Sequence, residues 1–269
     1  MSEATAATAS ISVVIPVKDD AQQLRECLRA LGRQTRAADE IIVVDNDSSD
    51  SSALVAEGMG ARVVRQEGGG IPAASAAGYD AARGEIIARL DADCLPGEGW
   101  LERIAQDFAR DADLAAVTGG ARFAEGPRVL RSVLSAVYLG SYFAVLTPTL
   151  GHAPLFGSNF AMRRSAWEAV SAEVHRHDIL VHDDLDLAYH LGRDHRIGLD
   201  RELDMTISMR PLTDPSSYLL RVRRGFHTVT VHWPHEFPPR RWVRSRRREH
   251  ENAGGRAETP PLARPFTQR

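Results

Sequence analysis

The stretch EIIARLDADC, residues 85 to 94, places two aspartates one residue apart directly after an apolar run. A short run of this kind, without clean alternation, is typical of a strand buried on both faces. Asp91 and Asp93 would then stand at the carboxyl end of that strand. Two interpretations are open from these residues alone: the acids cap the following helix, or they bind a divalent cation.

Similar apolar runs precede this stretch, and helical patterns separate them. The runs are ISVVIPV (11 to 17), EIIVVD (40 to 45) and ARVVR (61 to 65). Between the first two, an apolar stripe recurs at helical spacing; its members are Leu24, Cys27, Leu28 and Leu31. Strands that alternate with helices form a parallel sheet. We therefore predict an α/β domain with a mostly parallel central sheet flanked by helices.

Acidic residues follow three of the four predicted strands. Ligands of a parallel sheet bind beyond the carboxyl ends of its strands, so these side chains should meet at one edge. The acids are Asp19, Asp20, Asp45, Asp47, Asp91 and Asp93. At this edge Mg²⁺ or Mn²⁺ would take one or two carboxylates and complete its shell with phosphate oxygens and water.

A second group of acids lies in HDDLDLAYHL, residues 182 to 191. Asp183, Asp184 and Asp186 begin a stretch with amphipathic spacing, and acids in a first helical turn often serve only as caps. The functional interpretation makes Asp184 a general base that takes a proton from a hydroxyl.

Two segments of small residues have both structural and functional interpretations. EGGGIPAAS, residues 67 to 75, is a glycine run before a helix start, where backbone N–H groups can approach a phosphate or a base. It could equally be a flexible turn. FGSNFAMRRSAW, residues 156 to 167, joins small residues to a predicted strand and could be a tight, buried turn.

Composition and charge define the predicted domain limits. A chain of 269 residues can bury one large core, and Cys27 and Cys94 fit a reducing cytosol better than a disulfide framework. Residues 236–269 hold nine Arg and four Glu, which gives this tail +5 and the remainder −8. We predict a disordered leader at 1–10, one domain at 11–235 with halves at 11–110 and 111–235, and a basic, disordered tail at 236–269.

The stretch VLSAVYLGSYFAVL, residues 133 to 146, is shorter than the roughly 20 residues of a membrane-spanning helix. Packing in the core is one interpretation. The other is that the helix faces a lipid-linked acceptor at the inner membrane surface while the arginine tail binds anionic lipid. We accordingly expect a cytoplasmic protein with a candidate peripheral membrane contact and no nucleic-acid partner.

Taken together, five segments in this order resemble the family 2 glycosyltransferases with the A-type nucleotide-binding fold. The resemblance covers residues 11 to 232 and rests on SVVIPVKDD, IIVVDNDSSD, AAGYDAARGEIIARLDADC, GSNFAMRRSAW and HDDLDLAYHL. It implies a single-domain A-type glycosyltransferase fold that binds a nucleoside-diphosphate sugar. The QxxRW signature of processive, membrane-embedded members is absent, which favours transfer of a single sugar.

The resemblance also implies roles for individual residues. Asp93 would coordinate the Mg²⁺ or Mn²⁺ directly, Asp91 would lie near the ribose and a water on the metal, and Asp184 would be the catalytic base, with Asp183 in place of the family's usual Glu. The acceptor side would be formed by Gly157, Ser158, Asn159 and Asp183. The nucleotide would be bound by Pro16, Val17, Asp20, Asp45, Gly70 and Asp91.

The C-terminal part of the domain adds candidates without a motif. Arg224 and His227 could contact the diphosphate or the metal, and His232 could lie near them; a solvated basic helix face is the alternative. Lys18 and Asp19 depart from the family pattern, so the nucleotide stays open.

The expected reaction is an inverting, metal-dependent transfer to an acceptor hydroxyl, in cell-envelope polysaccharide, glycolipid or secondary-metabolite glycosylation. Two alternatives remain open from the sequence. One is a sugar-phosphate nucleotidyltransferase, and the other is a non-catalytic protein that binds nucleotide sugars.

Overall fold

A computed structural model of the protein describes residues 9–210 and 215–244. Most of the predicted leader and of the predicted tail lies outside these residues. Within them the chain forms ten strands. They are β1 (Ile11–Val17), β2 (Glu40–Asp45), β3 (Arg62–Arg65), β4 (Ile86–Arg89), β5 (Leu95–Pro96), β6 (Leu114–Thr118), β7 (Arg122–Phe123), β8 (Phe160–Arg163), β9 (Arg196–Leu199) and β10 (Met205–Ile207).

The helices lie between the strands, as the sequence predicts for the first half. They are α1 (Ala21–Leu31), α2 (Ser52–Gly58), α3 (Gly70–Ala81), α4 (Trp100–Arg110), α5 (Arg128–Leu150), α6 (Arg164–Val170), α7 (Asp183–Asp194) and α8 (Pro215–Val231). Residues 238–244 are also helical.

Seven strands form the central sheet in the order β3-β2-β1-β4-β8-β6-β9, and a small sheet has the order β5-β10-β7. Strands β1 to β4 run parallel to one another, and β6 and β9 form a further parallel pair. Only β8 in the described seven-stranded sheet is antiparallel to its neighbours β4 and β6. The prediction of a mixed α/β fold with a mostly parallel sheet flanked by helices is therefore confirmed.

The sheet is buried on both faces because consecutive residues of a strand point to opposite sides. In β1, Val13 and Ile15 pack in a core with Leu24 of α1 and Trp100 of α4. Val14 points the other way, into a second core that contains residues of α3, α6 and α7. All seven residues of β1 are buried, which explains its unbroken apolar sequence.

Helix α3 lies unusually close to the sheet at Gly78. A Cβ atom at this position would come within 2.4 Å of Val14 Cγ1 and 2.8 Å of Val44 Cγ2. Only glycine allows this approach, which sets the height of α3, and therefore of its glycine-rich start, over the strand ends.

The antiparallel strand β8 brings a distant loop to the site. Phe160 pairs with Arg89, the last residue of β4, so the turn of residues 157–159 lies at the carboxyl edge of the parallel strands. The second half of the chain thus completes the edge where the strand-end acids gather.

Helix α5 differs from the prediction for residues 133 to 146. Its apolar part spans Val129–Leu150, 22 residues with a mean hydropathy of 1.6, and 11% of the most apolar window is buried. By length and composition alone it could cross a membrane. The prediction of a buried or interfacial helix too short to do so is wrong in length, because the helix continues for several residues on both sides of the apolar run.

The start of the predicted tail is part of the folded domain. Arg241 is buried; it donates to the Leu150 carbonyl at 2.6 Å and to Glu236 Oε2 at 2.6 Å. Trp242 Nε1 donates to the Pro148 carbonyl at 2.6 Å. The folded domain therefore extends past the predicted boundary at 235, to at least residue 244. The sequence prediction missed this because long-range contacts leave no local sequence signal.

Candidate active site

The acids that follow β1, β2 and β4 meet at one edge of the sheet, beside the turn of residues 157–159. Val17 pairs with Asp45 across β1 and β2, and the Asn46 N–H donates to the Val17 carbonyl at 2.9 Å. Asp45 is buried, and its Oδ1 accepts the Ser48 N–H at 3.1 Å. Pro16 and Val17, also predicted to bind the nucleotide, are buried at the carboxyl end of β1.

The loop after β1 is held in an uncommon backbone conformation. Asp19 has a φ of 51°, in the left-handed region, and its Oδ1 accepts the Ser49 N–H at 2.6 Å. These hydrogen bonds to Ser49 are the main reason that the Asp19 pKa lies below its ordinary value. The loop after β1 is thus joined to the loop after β2.

Arg210, which sequence reasoning did not single out, connects Asp20 with Asp93. Its Nη2 lies 2.7 Å from Asp20 Oδ2 and 3.3 Å from Asp93 Oδ2. The two acids are separated by more than seventy residues in sequence. A guanidinium thus lies among the carboxylates predicted to face the cation and the nucleotide.

Asp91 and Asp93 fit a hard divalent cation. Burial and then the charge of Asp91 raise the pKa of Asp93 to about 6, against the lowering effect of Arg210. Two carboxylates this close repel each other, and a cation between them would relieve the repulsion. One ligand atom each from Asp91, Asp93 and Cys94 lies within 4.8 Å of the others. Burial raises the pKa of the Cys94 thiol, which leaves the carboxylates as the ligands.

Arg89, the last residue of β4, is the second functional residue absent from the sequence predictions. It is only 2% exposed, and its Nη2 lies 2.9 Å from Asp91 Oδ1 and 3.4 Å from Asp183 Oδ2. A buried arginine needs charged partners, and here they come from both predicted acidic groups. Its position immediately before LDAD is the one signal that could have indicated it.

In the turn of residues 157–159, Gly157 and Ser158 contact the acids of the site, whereas Asn159 is buried in the core. Ser158 Oγ donates to Asp91 Oδ2 at 2.7 Å, and the Gly157 N–H donates to Asp184 Oδ2 at 2.7 Å. Asn159 is fully buried, accepts from Trp100 Nε1 at 2.8 Å and donates to the Gly120 carbonyl at 2.7 Å. The prediction that Asn159 contacts the acceptor is therefore corrected. Its side chain makes hydrogen bonds inside the domain and stabilises the turn.

Asp184 lies at the first turn of α7 and is partly exposed to the edge. Burial and then the neighbouring Asp183 raise its pKa, against the lowering effects of His182, Arg89 and the Gly157 N–H. Asp183 accepts from Ser75 Oγ of α3 at 2.7 Å. A carboxylate with a raised pKa is a better proton acceptor near neutral pH than an ordinary one.

The glycine run begins α3, as the sequence predicts. Gly69 and Gly70 have φ values of 77° and 66°, which other residues rarely adopt. A Cβ at Gly69 would lie 2.5 Å from the Ala73 Cβ. The run is thus a constrained turn, and Gly70 faces Ile179 in the loop before α7.

The C-terminal candidates lie on or after α8. The structure places His227 Nε2 2.7 Å from Asp178 Oδ2, and the Arg224 Nε is buried. His232 stacks on Tyr189 with ring centroids 4.1 Å apart and approaches Asp186. The expected positions of His227 and His232 beside the diphosphate and metal are therefore corrected: His227 pairs with Asp178, and His232 packs between Tyr189 and Asp186. No described contact joins Arg224 to Asp91 or Asp93.

Comparison with known proteins agrees with this geometry. The profile of glycosyl transferase family 2 matches residues 12–170, more than half of the chain. The glycosyltransferase AglE of Haloferax volcanii is 36% identical over 101 residues, which are 35% of this chain and 33% of that protein. An undecaprenyl-phosphate 4-deoxy-4-formamido-L-arabinose transferase of Sodalis glossinidius is 34% identical over 114 residues, 39% of this chain and 35% of that protein. The matches thus span about a third of these curated relatives.

A solved structure shows the same fold over nearly the whole chain. It is the mannosyltransferase PcManGT of Pyrobaculum calidifontis in complex with GDP-Man and Mn²⁺, with a TM-score of 0.60 and 18% identity. The alignment covers 94% of this chain and 77% of that one. With strand-end acids, the fold of this solved structure and a family match over more than half of the chain, the chain belongs to glycosyl transferase family 2.

Proposed function

We propose that this chain transfers a single sugar from a nucleoside-diphosphate sugar to an acceptor hydroxyl, with inversion at the anomeric carbon and with Mg²⁺ or Mn²⁺. The observation that carries the proposal is the position of Arg89 between Asp91 and Asp183. This arginine joins Asp91 of the cation-binding pair to Asp183, the neighbour of the candidate base Asp184, at the edge where donor and acceptor must meet.

In this proposal Asp184 acts as the general base. The acceptor oxygen attacks the anomeric carbon as its proton passes to Asp184, and the bond from that carbon to the diphosphate oxygen breaks. The nucleoside diphosphate leaves on the opposite face of the sugar. The raised pKa of Asp184 supports this role, and its hydrogen bond from the Gly157 N–H fixes the orientation of the carboxylate.

On the donor side, Asp91 and Asp93 would hold the divalent cation. When bound, that cation would offset the charge that develops on the leaving diphosphate. Val17, Asp45 and Asp20 would bind the nucleoside. Arg210 would exchange its contact with Asp93 for one with a phosphate, since a guanidinium binds both groups in the same planar geometry.

The acceptor is proposed to be lipid-linked and to reach the site at the cytoplasmic face of a membrane, as in envelope polysaccharide or glycolipid synthesis. Helix α5 supports this: Val129 is 79% exposed, and Val133 and Val137 are exposed one and two turns later. Tyr142 of α5 donates to the Leu155 carbonyl at 2.7 Å, two residues before Gly157. A lipid chain lying along α5 would thus place its head group near Asp184.

Exposed aromatic residues lie in the C-terminal part of the described chain. They are Phe226, Trp233, Phe237 and Trp242, and Trp242 donates to the Pro148 carbonyl of α5. Arg240 is exposed in the same segment. Aromatic rings and basic side chains are favoured where a protein meets the head groups of anionic lipids. The name of the Sodalis relative, an undecaprenyl-phosphate transferase, supports an acceptor of this chemical class.

The transfer is tested with a panel of UDP-, GDP- and dTDP-sugars, with and without Mn²⁺, on the wild type and Asp93→Ala. We expect cation-dependent turnover of one donor, lost in the variant, and an anomeric configuration in the product opposite to that of the donor. Retained configuration would contradict the mechanism. Failure of the folded protein to bind any donor would favour a non-catalytic role.

The membrane contact is tested by flotation with anionic vesicles. A variant with serine at Val129, Val133 and Val137 should float less than the wild type. The matched control carries serine at Leu54 and Met59, exposed apolar residues in and just after α2. Equal flotation of all three proteins would exclude α5 as the contact.

A further inference from the structure

A cluster of three histidines and one aspartate lies on the opposite side of α7 from Asp184. Its members, here called the histidine cluster, are His175, Asp186, His190 and His232. Asp186 follows Asp184 by two residues, which is about 200° around a helix. The histidine cluster is therefore separate from the edge where Asp91 and Asp93 lie, and neither the family resemblance nor the proposed transfer gives it a role.

Two separations between ligand atoms of the histidine cluster match those of a tetrahedral metal site. Asp186 Oδ1 lies 3.2 Å from His232 Nε2 and 3.5 Å from His190 Nε2. The same oxygen shares a hydrogen bond with His175 Nδ1 at 2.7 Å, which metal binding would replace. One ligand atom from each of the four residues lies within 4.8 Å of all the others. Bonds of 2.0–2.1 Å to a tetrahedral zinc ion separate neighbouring ligand atoms by about 3.3 Å.

Two of the histidine nitrogens are buried without a hydrogen bond. His190 and His232 are each 6% exposed, and the Nε2 atoms of both lack a partner in hydrogen-bond geometry. They are close to Asp186 Oδ1, yet their directions do not fit a bond to it. Buried polar atoms normally have a partner in the protein, a water or an ion, because leaving them unpaired destabilises the fold.

The tautomer of His232 strengthens the argument. Its Nδ1 lies 2.7 Å from the Thr228 carbonyl oxygen, which can only accept, so Nδ1 carries the proton. In the neutral ring the lone pair is then on Nε2 and faces the carboxylate of Asp186. A proton or a metal ion between Nε2 and Asp186 Oδ1, 3.2 Å apart, satisfies both atoms, and the metal ion can also be shared with His190.

The surroundings also match those of metal-bound histidines. The second carboxylate oxygen of Asp186 accepts the His175 N–H at 2.8 Å, and His190 Nδ1 lies 3.5 Å from Glu173 Oε2. Arg193 Nη2 lies 3.4 Å from the same His190 nitrogen. Outer partners of this kind fix the orientation of ligands in metal sites. Three imidazoles and one carboxylate favour Zn²⁺ over Mg²⁺ or Mn²⁺, which prefer oxygen ligands.

We propose that the histidine cluster binds one Zn²⁺ ion with a structural role. Four protein ligands leave no open position, as in structural zinc sites. The ion joins three separate parts of the chain: the loop before α7, α7 itself and the segment after α8. It thereby holds the helix that presents Asp184, and its binding does not depend on the proposed transfer.

The test measures metal content and geometry in the full chain after chelator treatment and addition of Zn²⁺ or Co²⁺. We expect one zinc per chain and the intense visible absorption of tetrahedral Co²⁺. His190→Gln and His232→Gln should weaken Zn²⁺ binding at least about tenfold. His227→Gln, a histidine on α8 outside the cluster, and Asp93→Ala should bind zinc like the wild type.

Two results would overturn the proposal. One is a wild-type protein that binds no Zn²⁺ or gives only the weak spectrum of octahedral Co²⁺, and this result does not depend on whether the variants fold. The other is zinc lost in Asp93→Ala and kept in His190→Gln and His232→Gln. Because Asp93→Ala removes the proposed donor cation alone, failure of the transfer proposal and failure of the zinc site give different patterns.

Discussion

Arg210 Nη2 lies 3.3 Å from Asp93 Oδ2, so a positive side chain lies beside the acid that is predicted to bind a cation. Asp20 shares the same guanidinium at 2.7 Å. The arginine offsets part of the negative charge that burial makes unfavourable at Asp93. It also competes with a divalent ion for the same carboxylate.

Arg210→Gln should therefore bind Mn²⁺ more tightly than the wild type in the absence of donor. We expect about fivefold at pH 8, corresponding to about 1 kcal/mol of charge repulsion in a partly solvated site. Titration followed by electron paramagnetic resonance of free Mn²⁺ measures this. Arg201→Gln, an exposed arginine in the turn after β9, is the matched control, and an equal gain there would argue against a local effect.

Asp93→Asn should stabilise the protein at neutral pH in the presence of a chelator. The pKa of Asp93 is raised to about 6, so the wild type loses stability as pH rises from about 4 through 6. About two pKa units correspond to at most about 3 kcal/mol. Chemical denaturation at pH 4 and pH 7.5 should show a gain at the higher pH only. A gain of equal size at both values would mean that charge is not its cause.

Asp184→Asn should abolish most turnover and leave donor binding intact. Removing a general base typically costs about 10²- to 10⁴-fold in kcat. Donor affinity by calorimetry and turnover under saturation separate the two effects. Asp113→Asn, an exposed acid in the loop before β6, should retain full activity. Full turnover by Asp184→Asn would remove the assignment of the base.

Arg89→Met should destabilise the fold, because it leaves Asp91 and Asp183 without the buried guanidinium that they share. Breaking a buried ion pair by removing one partner costs about 3–5 kcal/mol. The free energy of unfolding from urea titration is the readout. Arg83→Met, an exposed arginine just before β4, should change it little. Similar losses in both variants would indicate a general effect of the substitution.

Gly157→Ala should perturb the site through its neighbours. The added Cβ would lie 2.1 Å from Arg89 Nη1 and 3.0 Å from Asp184 Oδ2, so Arg89 must shift. Overpacking of this kind costs about 1–3 kcal/mol, and we expect lower kcat as Asp184 moves. Gly140→Ala in α5, where a Cβ meets no atom within 4 Å, should instead stabilise by about 0.5–1 kcal/mol. Unchanged activity in Gly157→Ala would show that the turn can relax.

The strands and their terminal acids could be predicted because their signals are local. Runs such as ISVVIPV are apolar throughout, since both faces of β1 are buried. Parallel strands carry their carboxyl ends to one edge, so the meeting of Asp20 with the acids after β4 followed from strand order. The sequence signal for the start of α3 is likewise local, because the positive φ values of Gly69 and Gly70 favour glycine.

Other features were decided by tertiary structure. Arg89 is the last residue of an apolar strand, and its sequence position does not indicate its partners. Only the folded chain places its guanidinium beside both Asp91 and Asp183. Asn159 looks like a polar site residue in sequence, yet its amide is used up inside the core. Burial and partners of a polar side chain depend on segments far away in the chain, which no local pattern encodes.

The α/β fold and the acids at the strand ends follow from local sequence patterns, because hydrophobic period and turn chemistry act over a few residues. The tertiary structure alone decided the exposure of α5, the position of Arg210 and the convergence of His175, His190 and His232 on Asp186. The contacts of Arg210 with Asp20 and of His232 with Asp186 join residues separated by long stretches of chain. They form only when the packed sheet and helices fix which surfaces meet.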